Sequence, residues 1–236
     1  MNKLATNYRK KILQSSIYIL VLFFLTSTFA FAHTPVMEAT SEIRPIFKAK
    51  FGVYTIDAAT AKRITNKSYK PNKNIKISDL RLVKVAYQGF DNLPHNGELI
   101  VNRKVAYDVL QIFRELYKAK FKIERISLVD NYGANDIKSM NSNNTSSFNY
   151  RPIMGGKTLS KHALGLAIDI NPVQNPYISG KLVLPAKAKN FLNRKNVRPG
   201  MIIKSDKCYQ IFIKHGWTWG GNWKSPKDYQ HFEKRI

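Results

Sequence analysis

Ser160-Lys161-His162-Ala163-Leu164-Gly165-Leu166-Ala167-Ile168-Asp169 sets a histidine and an aspartate seven residues apart, across a glycine. Read as a strand, Leu166, Ile168 and Ile170 turn to a core while Ala167 and Asp169 face the other way. The small alanine leaves room beside Asp169. Gly165 lets the chain bend, so that His162 returns to the same point from the preceding turn. Near the other end, in Asp228-Tyr229-Gln230-His231-Phe232-Glu233, residues 229–233 read as a closing strand with Tyr229, His231 and Glu233 on one face. Laid beside the first stretch, it brings His231 to His162 and Asp169.

Two imidazoles and a carboxylate suit Zn2+, and three protein ligands leave the fourth tetrahedral position that catalytic zinc keeps open. Hydrolysis then needs a base, and Asp228, three residues before His231, is available without binding metal. It also needs a cation where a carbonyl oxygen becomes anionic, and Arg151 precedes the first stretch. On spacing alone, a core histidine and an aspartate capping a turn fit the same residues. His33, His95 and His215 have no such surroundings and read as structural.

Between the two stretches and before them, the pattern alternates short strands with a few helices. Residues 80–87 alternate in strand fashion, and Gly97 precedes a short strand. Val105, Val109, Ile112, Phe113, Leu116 and Tyr117 recur at helical spacing after Asn102, a candidate N-cap. Residues 123–129 read as a strand. Residues 131–150, rich in Asn, Ser and Gly, read as one long functional loop. A helix begins after Pro185, and Ser205 caps another that Gly216 ends. No regular βαβ rhythm appears. The expected fold is α+β, a small antiparallel sheet with flanking helices carrying a single catalytic zinc site.

Residues 1–32 have the layout of a signal peptide: Lys3, Arg9, Lys10 and Lys11, an apolar run over 17–25, and Ala30-Phe31-Ala32 before the cut. Residues 33–77 read as a basic extension with few strands, and 78–236 as the domain that carries both chemical stretches and the zinc site. Localisation follows as periplasm or cell wall. The chain carries 39 basic and 15 acidic residues, and removing the leader's four basic residues from +24 leaves +20. That charge favours anionic cell-wall polymers or a membrane surface as partners, and export disfavours nucleic acid. Cys208, the single cysteine, excludes an intramolecular disulfide and reads as a buried thiol.

Ser160-x-His162-x-x-Gly165-x-Ala167-x-Asp169 and Asp228-x-x-His231-Phe232-Glu233 resemble the signature of zinc-dependent D-alanyl-D-alanine carboxypeptidases, a family that includes vancomycin-resistance dipeptidases and phage endolysin peptidases. Asn171-Pro172, Asn175-Pro176-Tyr177 and the run from Asn143 to Arg151 are similar to the branch with L-alanyl-D-glutamate-type endopeptidases. The resemblance covers 78–236. It implies His162, Asp169 and His231 as zinc ligands, Asp228 as catalytic base, Arg151 on the scissile carbonyl and Ser160 near the substrate carboxylate. Many relatives have Glu at the base position. The implied substrates are peptidoglycan peptides, cut by carboxypeptidase or endopeptidase action. The competing expectation is a non-catalytic wall-binding module that keeps the metal, for which Asp228 and Arg151 would serve no purpose.

Overall fold

The computed structural model describes residues 46–236; the leader expected over 1–32, His33 and the start of the 33–77 extension lie outside the described residues. β1 (Gly52–Thr55), β2 (Leu80–Gln88) and β3 (Pro94–Asn102) form an antiparallel sheet in that order, with β2 and β3 in register from Leu80↔Asn102 to Gln88↔Pro94. Successive side chains leave a strand on opposite sides. Val83, Val85 and Tyr87 therefore enter one core, and Leu80 and Leu82 another. Leu99 and Val101 of β3 join the first core and Ile100 the second. Both faces of this sheet are covered.

The second core is closed by α1 (Ala58–Ile64), capped by Asp57, through Ile64, and by Ile75, Leu128 and Phe148. The first is larger. The helical stripe read from the sequence is α2 (Ala106–Lys118), which buries Val109, Ile112, Phe113 and Leu116 against the sheet. Its N-cap is Val105 rather than Asn102. Asn102 instead accepts the Lys104 N–H and donates to the Leu164 carbonyl, which ties the helix start to the His162 segment.

Residues 131–150 are more ordered than a loop. β4 (Arg125–Ile126) pairs in parallel with β5 (Asn144–Thr145), and α3 (Asp136–Asn141), capped by Asn135, lies between them. The polar side chains are buried because each finds partners. Asn144 donates to the Ser127 carbonyl and to Ser139 Oγ, Asn143 donates to Gln174, and Ser147 donates to the Ala167 carbonyl. Buried amides and hydroxyls are tolerated when satisfied in this way.

The site rests on β6 (Ala167–Asp169), β9 (Thr218–Trp219) and β11 (His231–Glu233), an antiparallel sheet in the order β6-β11-β9. A neighbouring sheet takes β7 (Tyr177–Ser179), β8 (Leu182–Leu184) and β10 (Lys227–Asp228), in the order β10-β7-β8. The helix expected after Pro185 is a 3-10 helix, Ala186–Phe191. α4 (Lys207–Lys214) is capped by Asp206, one residue beyond Ser205. It stacks Phe212 on Phe232 with ring centroids 4.0 Å apart, fixing β11 from behind. Cys208 is fully buried in this core, and burial pushes its thiol well above the usual value. Mixed helix and small antiparallel sheets make the fold α+β.

Candidate metal centre and cleft

Leu166, Ile168 and Ile170 are buried in the first core, so Asp169 projects from the opposite face of β6. β11 pairs with β6 at His231↔Asp169, which sets the imidazole beside the carboxylate. His162 arrives from the short 3-10 helix Lys161–Leu164, whose cap is Ser160: its Oγ accepts the His162 N–H at 3.2 Å. Gly165 ends that helix with φ +66°, and a Cβ there would lie 2.5 Å from the Asn102 nitrogen. Only glycine fits this turn, because an L side chain disfavours the angle and backbone blocks the space.

Three donor atoms converge. His162 Nε2 lies 3.2 Å from Asp169 Oδ1 and 3.2 Å from His231 Nδ1, and His231 Nδ1 lies 3.0 Å from Asp169 Oδ1. Zinc–ligand bonds of about 2.0–2.1 Å at tetrahedral angles put neighbouring donors about 3.3 Å apart, so the triangle suits that ion. The outward nitrogens are fastened. His162 Nδ1 sits 2.6 Å from the Ser147 carbonyl, which can only accept, so the proton is on Nδ1 and Nε2 offers its lone pair. His231 Nε2 faces Glu233 Oε2 at 3.3 Å. Acceptors behind metal-facing imidazoles orient them in this manner.

The electrostatics also call for a cation. Burial opposes charge on Asp169, yet His162 and His231 hold its carboxyl far below the usual range. Burial opposes charge on His231 as well, but Asp169 and Glu233 draw a proton onto it and raise it to about 10. The cluster thus attracts positive charge where a divalent ion would sit. Asp228 behaves oppositely: burial and the neighbouring charge of Asp169 push it up to about 7, opposed in part by His231 and Gln230. Its Oδ1 is buried and has no hydrogen-bond partner among the described residues.

The expected single strand over 229–233 is broken. Asp228 belongs to β10, paired with Tyr177, and His231 to β11, paired with Asp169. Tyr229 consequently leaves the site face and lies under the Arg194 guanidinium, 4.5 Å from ring centre to Cζ. Gly220 makes the break possible, since a Cβ there would lie 2.7 Å from the Asp228 carbonyl oxygen.

All six residues singled out in the sequence line one cleft of about 410 Å³: Arg151, Ser160, His162, Asp169, Asp228 and His231. Arg151 is held by an ion pair with Asp136, which also accepts from Asn149 Nδ2 at 2.8 Å. Ser160 Oγ is engaged as a helix cap, so its first task is to orient His162. Met140, Leu159, Tyr177, Leu184, Trp223 and Pro226 supply apolar walls. Trp223 packs against His231 with ring centroids 5.3 Å apart. His95 and His215 pair with Asp91 and with Asp108 and Glu115, away from the cleft. Asp136, Trp223 and Gln230 line the cleft without having been singled out. The only sequence signal for them was richness in Trp and Gly around 223, and for Gln230 its place between Asp228 and His231.

Residues 154–234 match the D-alanyl-D-alanine carboxypeptidase family. The match agrees with the resemblance carried by the His162–Asp169 and Asp228–Glu233 stretches, and it supports a peptidase. It takes in the three converging donors and Asp228, while Arg151 and Asp136 precede its first residue. No curated protein and no solved structure matches the chain. Within the matched segment, the His-Asp-His cluster is a group that can hold a metal ion.

Proposed function

We propose that the chain is a secreted, zinc-dependent peptidase that hydrolyses D-amino-acid-containing peptide bonds of peptidoglycan stem peptides. The observation that carries this reading is the triangle of His162 Nε2, Asp169 Oδ1 and His231 Nδ1, with sides of 3.0–3.2 Å and both imidazoles fastened from behind. His162, Asp169 and His231 would hold zinc, which when bound would supply Lewis acidity toward water and the carbonyl.

The chain's own groups do the rest. Asp228 takes the proton of the attacking water at its carboxylate and delivers it to the leaving amine. Arg151, kept in the cleft by Asp136, provides a fixed positive charge for the carbonyl oxygen as it becomes anionic. Ser160 orients His162 from its cap position. Trp223, Leu184 and Leu159 bound the peptide and keep bulk water from the reacting groups. Export rests on the signal-like residues 1–32, and the excess of basic residues supports retention on anionic wall polymers.

Zinc content of the purified protein, followed by mass spectrometry of peptidoglycan fragments after incubation, tests the reading. One zinc per chain and a defined loss from the stem peptide are expected. A zinc-loaded protein that leaves every wall peptide intact would be a binding module instead.

A further inference from the structure

Besides the two imidazoles, the acidic and basic side chains that line the cleft are Asp136, Arg151, Lys161, Asp169, Asp228 and Glu233. Most have their charge answered within the protein. Arg151 pairs with Asp136, Asp169 with His162 and His231, and Glu233 with His231. Asp228 is buried and pushed toward its neutral form. Lys161 is left over. It enters no ion pair with a described residue, and its hydrogen bonds run through its backbone carbonyl, which accepts the Leu166 N–H at 3.0 Å.

The backbone that carries this ammonium is held firmly. Lys161 opens the 3-10 helix that Ser160 caps and Gly165 ends, and it directly precedes His162. Its side chain is partly buried in the cleft wall, so it keeps some open surface there. Glu233 of β11 feels its charge: the His231 hydrogen bond, and after it Lys161 and Arg235, hold that carboxyl below the ordinary 4.5. The ammonium therefore stands on the side of the cleft shared by His231 and Glu233.

On an open surface water answers a lysine, and nothing further is needed. In a cleft, an entering peptide displaces that water. An ammonium has three N–H donors and no acceptor, so the ligand must bring an oxygen or leave a charge unpaired. A carboxylate fits best, because hydrogen bonds between charged groups are roughly twice as strong as neutral ones. Ser160, which the family resemblance sets near a substrate carboxylate, already accepts the His162 N–H and brings no charge.

We infer that Lys161 is a substrate-binding residue whose ammonium takes a carboxylate of the bound peptide. This rests on the peptidase reading and deepens it by naming the substrate group that is recognised. A lysine-type stem pentapeptide has two such groups, the C-terminal carboxylate and the α-carboxylate of its γ-linked D-glutamate. Recognition of the first sets the cut at the chain end, and recognition of the second sets it within the chain.

The test amidates each carboxylate in turn. Affinities of the three pentapeptides are measured calorimetrically with the zinc-loaded full chain in an Asp228→Ala background, where mass spectrometry should recover the peptide intact. One of the two amides should bind about tenfold more weakly than the free acid. Lys161→Met in the same background should lose a similar factor with the free acid and nothing further with that amide. Lys161→Arg, which keeps the charge, should retain most of the affinity. Zinc content near one per chain shows that each variant keeps its site, and Lys161→Gln serves if the methionine variant does not.

Affinity indifferent to both amidations overturns the inference without any Lys161 variant, and leaves a carbonyl or water as the partner of the ammonium. So does an amide penalty that is unchanged in Lys161→Met, and so does absence of binding by every pentapeptide. Cleavage by the wild-type chain is followed separately. Peptides that show the expected binding pattern but are never cut overturn the peptidase reading and leave the carboxylate site standing.

Discussion

At the scale of single residues, metal binding and proton transfer fall to different side chains, and substitution should separate them. His231→Ala removes one donor of the triangle and leaves Asp169 and Glu233 facing each other's charge without the imidazole between them. It should abolish both zinc and activity. Asp228→Ala leaves all three donors in place, so zinc content should stay near one per chain while turnover falls about 10²–10⁴-fold. Metal analysis beside steady-state kinetics reads both. Loss of zinc from the Asp228 variant would move that carboxylate into the metal's coordination. Arg151→Ala belongs to the same set. Its guanidinium touches Asp136 and no donor of the triangle, so kcat should fall with zinc retained, and lysine should restore only part because it lacks the planar fork.

The elements are pinned to one another by a polar knot outside the cleft. Asp108 of α2 accepts from His215 Nδ1 at 2.5 Å, Trp217 Nε1 at 2.8 Å and Lys234 Nζ at 2.8 Å, joining α2 to the end of α4 and the segment after β11. Glu115, two turns along α2, holds His215 Nε2 at 2.8 Å and Lys214. Burial would raise Asp108, but Lys234, Trp217 and His215 hold it below the ordinary 3.8; His215 and Lys214 hold Glu115 below 4.5. A depressed carboxyl contributes stability above its ordinary value and loses it as pH falls through the lower folded one. The contribution of this knot to thermal stability should therefore be flat from neutral pH to about pH 5 and be lost below about pH 4. Asp108→Ala should cost about 2 kcal/mol and flatten that acid limb, with zinc content unchanged. An acid limb of wild-type steepness in the variant would assign it to other groups.

How far these elements were legible depended on what holds each together. β2, α2 and β6 carry their apolar period in the sequence, and the structure buries Val83 and Val85, Val109 and Phe113, and Leu166 and Ile168 accordingly. The stretch 131–150 carries no period because its order comes from side-chain amides: Asn143, Asn144 and Asn149 each bond to a partner distant in sequence or across a turn. The break between β10 and β11 was hidden for a related reason. It depends on Gly220, contributed by another segment, so the alternation of 229–233 by itself suggested one unbroken strand. His162, Asp169, Asp228 and His231 stood out because metal and base chemistry restrict residue type; Asp136 and Gln230 act through hydrogen bonds that many polar residues could make.

Across the whole molecule, charge is divided by location. After Asp136 the chain has only four acidic residues, Asp169, Asp206, Asp228 and Glu233. Three line the cleft and Asp206 caps α4, so apart from Arg151, Lys214 and Lys234, which pair with Asp136, Glu115 and Asp108, the basic residues of that half far outnumber its acidic ones. Retention on isolated cell walls should therefore fall sharply as salt rises, because the Debye length shrinks from ~10 Å at 0.1 M to ~3 Å at 1 M. Co-sedimentation at graded salt measures this. Retention that is insensitive to salt would point to the cleft alone as the wall contact.

β2 has a core on each side. Deuterium labelling gives that arrangement a consequence in time. An amide exchanges only when its hydrogen bond opens to solvent, and a strand covered on both faces opens only when the molecule unfolds as a whole. The amides of Val83 and Val85, fully buried residues on the central strand of their sheet, should be the last to exchange, at the rate set by global unfolding. The donor cluster of His162, Asp169 and His231 lies outside the sheet of β2, with Asp169 on β6 and His231 on β11. If metal stabilises the fold as one cooperative unit, adding it should slow exchange at Val83 and Val85 by the same factor as at Ile168.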